Sequence, residues 1–291
     1  MSFVSRQINL QFSGAVEGSI IIEGARCEAM ITNPGGDNAT ATLQLKIYGM
    51  TLEHMNQYSS FGSSFVVAQN YSVTVIVGDR GSPLIQVFSG HIYSSFIDFS
   101  SAPDVSFVCS ATSGYLEKAT PVSPNSYPGT QNAEDIIKSL TTSMYTSSGT
   151  PWSFSNNNAH AIITNQYISG SIIDQIKIVA RAACFPIKIE NDTVYIWPNG
   201  NNVDGVTIAV GPNSGLVGYP TYIAAGFSIK TQFTSNIANG RKISLTSVIP
   251  KANGIWTAHV VTHELSTVLA DGPWFTNCIL NNEGANSVPR N

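Results

Sequence analysis

The sequence predicts a mainly β protein, with two antiparallel β modules and a small α+β module between them. Apolar and polar residues alternate with a period of two through about the first hundred residues and again through about the last ninety, a spacing typical of strands with one buried face. Helical spacing of apolar residues is concentrated in the region between them. The first module is a barrel or a sandwich, and the last is a second β domain of similar size.

Length and composition narrow the classes of function. The 291 residues can form one large β domain or two to three smaller ones. Only 11% of residues are charged, against roughly 25% in a typical soluble domain. Polar surface must therefore come largely from Ser, Thr, Asn, Gln and Gly, which suits contacts with other proteins. A formal net charge of −4 argues against tight binding of nucleic acid but not against passage of DNA.

The N-terminus lacks the basic and apolar regions of a signal peptide, and no apolar run approaches the roughly 18 residues that cross a bilayer. We expect a soluble protein that is made in the cytoplasm. The four cysteines are far apart and form no C-x-x-C pair, so we expect four buried thiols rather than zinc or redox chemistry. The cysteines are Cys27, Cys109, Cys184 and Cys278.

Residues 1–114 form the first β module. Glycine- and proline-containing clusters separate its strands and predict turns. A short helix is expected at residues 51–57, with Thr51 as its N-cap. The apolar faces of four strands are marked by Ile8, Leu10 and Phe12; by Leu43, Leu45 and Ile47; by Val73, Val75 and Val77; and by Val105, Phe107 and Cys109.

Residues 115–204 form the α+β module. Its Pro- and Ser-rich start, residues 121–129, predicts a linker or an extended edge. Asn132 or Thr130 can cap a first helix, and a second helix is expected at residues 171–183 with Asp174 near its N-terminus. A small hairpin follows. The inward positions of the first helix are Ile136, Ile137, Leu140 and Met144, and those of the second are Ile172, Ile173, Ile176, Val179, Ala180 and Ala183; the hairpin strands are 185–189 and 193–197.

Residues 205–291 form the second β module. Turns in this part carry Gly and Asn, and the Asn253-Gly254 turn joins two strands as a hairpin. A strand of one barrel can also be contributed from across the middle module. The expected strands are 206–210, 223–233, 242–249, 255–263 and 274–280.

Two histidines four residues apart, His259 and His263, with Glu264 directly after them, offer a possible metal site. On a helix they would share a face. The β-branched residues between them favour a strand, on which the two side chains lie roughly 13 Å apart. The zincin pattern also lacks its second histidine. We therefore predict structural histidines and no metal-binding residue.

Other signatures of catalysis are missing: there is no G-x-S-x-G elbow, P-loop or dinucleotide fingerprint. An acidic pair for glycoside hydrolysis would have to come from Glu53, Asp79, Asp98 and Asp104. Their spacing does not distinguish them from solvated carboxylates at strand ends and turns. A sugar-stacking platform would need Trp152, Trp197, Trp256 and Trp274, residues that more often anchor cores or interfaces. We predict no catalytic residue, no cofactor-binding residue and no cofactor.

The order of certain local strings identifies a family. The strings are Leu45-Lys46-Ile47-Tyr48-Gly49-Met50, Val73-Thr74-Val75-Ile76-Val77-Gly78-Asp79, Pro83-Leu84-Ile85-Gln86-Val87-Phe88-Ser89-Gly90-His91-Ile92, Gly226-Phe227-Ser228-Ile229-Lys230 and 254–264. In this order, and with an α+β module between them, they resemble the hub proteins of phage tail baseplates. The resemblance spans nearly the whole chain and implies two tail-tube-like antiparallel β-barrel domains with a small α+β domain between them.

This resemblance implies a structural role. Three copies would close into a ring of six barrels that joins the hexameric tail tube protein to the trimeric central spike protein and forms part of the DNA channel. Expected partners are two further copies, the tube, the spike, other baseplate proteins and the tape measure protein, with DNA only as transient cargo and with no membrane-spanning segment. The protein would be synthesised in the host cytoplasm and would lie in the virion.

Three alternatives stay open. The chain could be a tail-associated peptidoglycan or glycan hydrolase, which needs a carboxylate with a raised pKa in a cleft. It could be a carbohydrate-binding adhesion module, which needs an exposed line of aromatic residues. It could also belong to a contractile injection or secretion machine. The short segment 281–291 carries no additional spike or toxin domain, which favours a stand-alone hub.

Overall fold

The fold was analysed in a computed structural model. It describes residues 5–15, 18–36, 39–60, 71–146, 149–224, 226–269 and 271–281. Of the C-terminal segment 281–291, only Asn281 is among these residues. The chain divides into two compact units, which interleave along the sequence: the first is Met1–Thr32, Ala41–Leu116 and His263–Trp274, and the second is Asn33–Thr40, Glu117–Thr262 and Phe275–Asn291.

The first unit is a β structure with one short helix among its described residues. Most of its strands follow the alternation predicted from the sequence, because they have one buried face, whereas the second strand has no buried residue. Its elements, in chain order, are β1 (Arg6–Ala15), β2 (Gly18–Ile22), β3 (Arg26–Asn33), β4 (Thr42–Tyr48), α1 (Leu52–Tyr58), β5 (Ser72–Asp79), β6 (Ile85–Asp98) and β7 (Ser106–Thr112).

These strands close into a barrel. Neighbouring strands pair antiparallel in the order β3-β4-β7-β6-β5-β1-β2. Only residues 23–25 separate β2 from β3, and the backbone N–H of Ala25 donates to the carbonyl of Ile8 in β1 at 3.0 Å. Gly24 adopts a φ of +59° in this bend, a conformation that glycine adopts at little cost. The strand order therefore returns to its start.

The interior of this barrel is apolar, and α1 fills part of it. Phe12 lies 5.2 Å from Tyr58 and 6.2 Å from Phe107 between ring centroids. All three side chains are fully buried. The predicted cap is confirmed, because Thr51 Oγ1 accepts a 3.3 Å hydrogen bond from the backbone N–H of His54. The helix thus begins where the sequence indicates.

The second unit begins with an α+β region. Its elements are α2 (Tyr115–Ala119), which spans the limit between the units, β8 (Asn125–Asn132), α3 (Ala133–Thr142), β9 (Ser153–Asn156), β10 (Ile162–Ile168), α4 (Ile172–Ala182), β11 (Ile187–Glu190) and β12 (Thr193–Ile196). The Pro- and Ser-rich start is an extended edge, because its second half belongs to β8, which pairs with β10. A second sheet has the order β11-β12-β9, in which β12 and β9 are parallel.

The two longer helices of this region begin as predicted. Asn132 is the N-cap of α3, although its side chain donates to Asp135 at 3.1 Å instead of capping the backbone. Ser171 caps α4 in a capping box with Asp174. The predicted hairpin is β11–β12, whose turn residues Asn191 and Asp192 both have positive φ. The apolar faces of α3 and α4 share one core with β11 and β12.

The last six strands form the other β structure. They are β13 (Thr207–Val210), β14 (Leu216–Ile223), β15 (Gly226–Gln232), β16 (Lys242–Leu245), β17 (Gly254–Thr267) and β18 (Trp274–Asn281). Their order is β13-β16-β17-β18-β15-β14, and only residues 211–215 separate β13 from β14. These strands pack around a core that includes Phe227, Ile243 and Leu280. From His263 onward, β17 belongs to the first unit, beside β3.

The structure confirms the mainly β class and refines some strand limits. β14 was not predicted, because Gly218, Pro220 and two exposed tyrosines interrupt its alternation. β16 ends at Leu245 instead of continuing to 249, since a loop with a short 3-10 helix, Pro250–Ala252, precedes β17. The Asn253-Gly254 hairpin therefore has a longer connection than expected, although β16 and β17 do pair antiparallel.

Candidate interaction surfaces

The four carboxylates considered for hydrolysis lie at strand ends, in a turn and at the start of a helix. Asp98, at the end of β6, forms a 3.5 Å ion pair with Lys46, and Asp104 forms a 3.3 Å ion pair with Arg26. A hydrogen bond from the side chain of Ser100, a 2.9 Å hydrogen bond from its backbone N–H and the charge of Lys46 lower the pKa of Asp98. Asp79 ends β5 and Glu53 lies in the first turn of α1. Asp98 and Asp104 thus each have their own cation.

The four tryptophans do not form an exposed line. Trp152, Trp197 and Trp274 are buried. Trp197 lies against the Asn239-Gly240 turn, where a Cβ on Gly240 would stand 2.7 Å from its ring. Trp256 is half-buried, and its Nε1 donates to the carbonyl of Ala252 at 2.8 Å. These contacts are those of core anchors.

The histidine pair lies on a strand, as predicted: His259 and His263 are both in β17. Across the described ranges, no group of three or more His, Cys, Asp or Glu side chains could hold a metal ion.

No helix within the part of the chain that the structure describes is long and apolar enough to cross a membrane.

The expectation of four buried thiols is wrong for one cysteine. Cys184 is exposed, because it follows the C-terminus of α4 in the turn before β11, with a φ of +55°. The other three thiols are buried, and burial raises the pKa of Cys27 to about 11 and that of Cys109 to about 12. Burial also raises the pKa of Cys278. Raised pKa values make these three thiols poor nucleophiles.

One carboxylate has the pKa direction that a general acid would need. Burial and the nearby charge of Asp192 raise the pKa of Glu117, in α2. Its Oε2 is buried and accepts no hydrogen bond from the described residues. The sequence did not single out Glu117, because burial is not readable from residue type. Asp192 is thus a second carboxylate near Glu117, and a pair of carboxylates is what glycoside hydrolysis requires.

The outer face of the first barrel carries an acidic depression. We call it the acidic groove; it has a volume of about 350 Å³ and is lined by Glu28, Met30, Val108, Glu264 and Pro273, together with Ala29, Gln44, Leu45, Lys46 and Leu265. Glu28 lies opposite Lys46 in the β3–β4 register, and Lys46 lies opposite Val108 in β7. Met30 is 38% exposed, so the groove combines apolar surface with carboxylates.

The last six strands carry a surface of opposite sign. Lys230 alternates with the buried Phe227 and Ile229 in β15, so it lies on the outer face, with its Nζ 4.2 Å from the ring centre of Phe275. Lys242 begins β16, and Lys251 is exposed in the 3-10 helix before β17. We call these three lysines the basic wall. In the sequence, these lysines lie within residues 205–262, which contain no Asp or Glu. The spacing of apolar residues does not reveal this surface.

Comparison with solved structures assigns the fold to a class of phage tail proteins. The tail protein from Neisseria meningitidis MC58 superposes with a TM-score of 0.66 at 10% identity, over 97% of this chain and 98% of that chain. The 43 kDa tail protein of prophage MuSo2 from Shewanella oneidensis gives a TM-score of 0.64 at 10% identity, over 97% and 100%.

A third solved structure comes from a secretion machine. It is an Escherichia coli component of the type VI secretion system with structural similarity to the T4 bacteriophage tail proteins gp27 and gp5. It gives a TM-score of 0.59 at 11% identity, over 91% of this chain and 78% of that chain. At these identities the likeness concerns the fold alone.

The sequence itself assigns the family. The family model described as "Baseplate hub gp41" matches residues 39–274, which is most of the chain. The chain therefore belongs to the baseplate hub gp41 family of phage tail proteins. A search of curated proteins found no significant match.

Proposed function

We propose that three copies of this chain close into a ring of six barrels at the centre of a phage tail baseplate. One face of the ring, with pseudo-six-fold symmetry, accepts the hexameric tail tube, and the three-fold face carries the trimeric central spike. The observation that carries the proposal is that one chain contains two β structures with separate strand orders, the first of which closes on itself. Two barrels in each of three copies match a six-fold partner while the ring keeps a three-fold axis.

The ring would form part of the channel through which DNA leaves the virion. The net charge of −4, with only 14 Lys and Arg in 291 residues, supports this role, because few cations are available to hold phosphates. Besides the tube and the spike, we propose contacts with other baseplate proteins and with the tape measure protein. The E. coli relative in fold resembles both gp27 and gp5, which supports a spike partner. The protein would be made in the host cytoplasm and would act in the virion.

We also propose that the chain is organised as three modules: a tube-like barrel at 1–114, an α+β domain at 115–204 and a second tube-like barrel at 205–291. Closure of the first strand order within β1–β7 supports the first limit, and the separate core of α3 and α4 supports the second. The interleaving of the two compact units means that contacts cross these limits.

A non-enzymatic role is part of the proposal. The family is a structural one, the ion-paired Asp98 and Asp104 are held by cations, and the tryptophans serve as core anchors. A tail-associated hydrolase is the rival to test, with Glu117 as its starting point because of its raised pKa. An adhesion module that binds carbohydrate is the other rival.

The first test is the mass of the native full-length protein by light scattering, followed by negative-stain imaging. A ring-shaped trimer with an axial opening, formed alone or after addition of the spike protein, is the expected result. Retention of the tube protein by the preassembled ring would support the adaptor role. A persistent monomer that ignores tube and spike, yet cleaves peptidoglycan or binds glycans, would contradict the hub proposal.

A further inference from the structure

The sequence contains three Asn-Gly pairs, which begin at Asn199, Asn239 and Asn253. An asparagine before glycine deamidates readily, because glycine has no Cβ to keep the side-chain amide away from the next backbone nitrogen. Attack of that nitrogen on the side-chain carbonyl carbon closes a succinimide ring and releases ammonia. All three pairs share this intrinsic reactivity, so the folded structure decides which of them reacts.

The pair at Asn239 is protected by burial and by two hydrogen bonds. Asn239 is fully buried, and its Nδ2 donates to the carbonyl of His259. The backbone N–H of Gly240, which holds the attacking nitrogen, donates to the carbonyl of Ala258 at 2.8 Å. Both reacting groups would have to leave these partners before they could meet, so we expect Asn239 to react slowly in the folded protein.

The pair at Asn253 is exposed, but its side chain is held in place. Asn253 Oδ1 accepts a 2.6 Å hydrogen bond from the backbone N–H of Ser247. Gly254 is the first residue of β17 and lies opposite Leu245 of β16 in the strand register. The Asn253 side chain can turn toward the Gly254 nitrogen only by giving up its hydrogen bond to Ser247, which slows the reaction.

The pair at Asn199 lies in an exposed turn. The backbone N–H of Asn201 donates to the carbonyl of Pro198 at 3.1 Å, and Gly200 has a φ of +85°. Asn199 itself is exposed. Within the part of the chain that the structure describes, no hydrogen bond holds the Asn199 side chain or the backbone N–H of Gly200. Neither reacting group therefore has to break a contact before the attack.

We propose that Asn199 is a site of spontaneous deamidation in the folded protein. The backbone nitrogen of Gly200 loses its proton and bonds to Cγ of Asn199, the Cγ–Nδ2 bond breaks, and Nδ2 leaves as ammonia. One water molecule then opens the succinimide ring. Opening at one carbonyl gives aspartate, and opening at the other gives isoaspartate, in which the main chain runs through the former side chain. The sum is one water consumed and one ammonia released.

The modified turn lies between two anchored residues. Trp197 is 2% exposed. Asn202 donates from Nδ2 to the carbonyl of Val206 at 3.0 Å, and its own carbonyl accepts from Asn157 Nδ2 at 2.8 Å. The new carboxylate, and in isoaspartate one added main-chain methylene, are thus confined to residues 198–201. The modification changes the charge of the connection between β12 and β13 and leaves the strands on either side in place.

Peptide mapping by mass spectrometry measures the reaction at each pair separately, in the full-length protein aged in mildly alkaline buffer. Asn199 should react at least about tenfold faster than Asn239 and Asn253, because each of those must first lose a hydrogen bond. In urea the three rates should become similar, since only the shared dipeptide remains. Mildly acidic buffer should slow the reaction at Asn199, because the attacking nitrogen must lose its proton.

Asn199→Gln should abolish the early reaction, because glutamine closes the corresponding larger ring far more slowly. The matched control is Asn253→Gln, which makes the same change at the other exposed pair and should leave the early reaction intact. Faster reaction at Asn239 or Asn253 than at Asn199 in the folded protein would overturn the assignment. An Asn199 that stays intact in the folded protein while it reacts in urea would overturn it as well.

Discussion

The hydroxyl group of Thr267 donates a 2.5 Å hydrogen bond to the main-chain carbonyl of Ala25, a residue 242 positions earlier in the chain. Thr267 ends β17 and is 3% exposed, and Ala25 occupies the bend between β2 and β3. This hydrogen bond connects the end of β17 to the bend at which the first barrel closes. A buried carbonyl at such a bend needs a donor, because the strand ladder is interrupted there.

Replacing that donor should destabilise the first unit. Thr267→Val keeps the shape of the side chain and leaves the Ala25 carbonyl without this partner, so we expect a loss of about 1 to 2 kcal/mol in the free energy of unfolding. Urea unfolding followed by tryptophan fluorescence measures it. Thr267→Ser, which keeps the hydroxyl, should lose less. Equal losses in the two variants would show that the methyl group, and not the hydrogen bond, matters.

The start of α4 gives a second prediction. Ser171 Oγ accepts from the backbone N–H of Asp174, and the Asp174 carboxylate accepts from the backbone N–H of Ser171 at 3.2 Å. Ser171→Ala removes half of this capping box and should cost about 1 kcal/mol. Thermal unfolding by circular dichroism is the measurement. Ser139→Ala, at an exposed position within α3, is the control and should change little. If Ser171→Ala did not change the stability of the protein, the core contacts of α4 alone would hold the helix in place.

Much of the fold follows from the sequence because strand alternation and capping are local signals. Val73, Val75 and Val77 mark β5, and Ser171 with Asp174 marks the start of α4. The sequence did not predict where the bend at Gly24 lies or that the end of β17 belongs to the first unit. Both depend on pairing between strands that are distant in the sequence. β14 escaped prediction because Pro220 interrupts its pattern.

The candidate surfaces could be predicted only in part. The absence of acidic residues around Lys230 is visible in the sequence. The sequence does not show that Glu28 and Glu264 line the same groove, because they come close only when β17 lies beside β3. The exposure of Cys184 depends on a turn with positive φ that residue type does not reveal.

The exposure of Cys184 gives a third prediction. Iodoacetamide at about pH 8 should modify one thiol per chain in the native protein and four in denaturant, since burial keeps the pKa of Cys27 near 11 and that of Cys109 near 12. Intact-mass spectrometry counts the modified thiols. Cys184→Ser should abolish the native reaction. Fast native labelling of two or more thiols would contradict the burial of Cys27, Cys109 or Cys278.

The buried carboxyl group of Glu117 gives a prediction about pH. Burial and Asp192 raise its pKa above the ordinary 4.5, so the folded protein favours the protonated form. The stability associated with that proton is present below the ordinary pKa and is lost as the pH rises through the raised value. Glu117→Gln, which is neutral at every pH, should therefore be more stable than the natural protein at pH 7, with the advantage shrinking toward pH 4.

Urea unfolding of both proteins at several pH values between about 4 and 8 measures this effect, because linkage ties the slope of stability against pH to the number of protons bound. Glu23→Gln, at an exposed position between β2 and β3, is the matched control and should leave that slope unchanged. A Glu117→Gln variant that is less stable at pH 7 would mean that the ionised carboxylate makes a favourable contact in solution. Glu117 would then be an anchor of α2, and the reason to test it as a general acid would disappear.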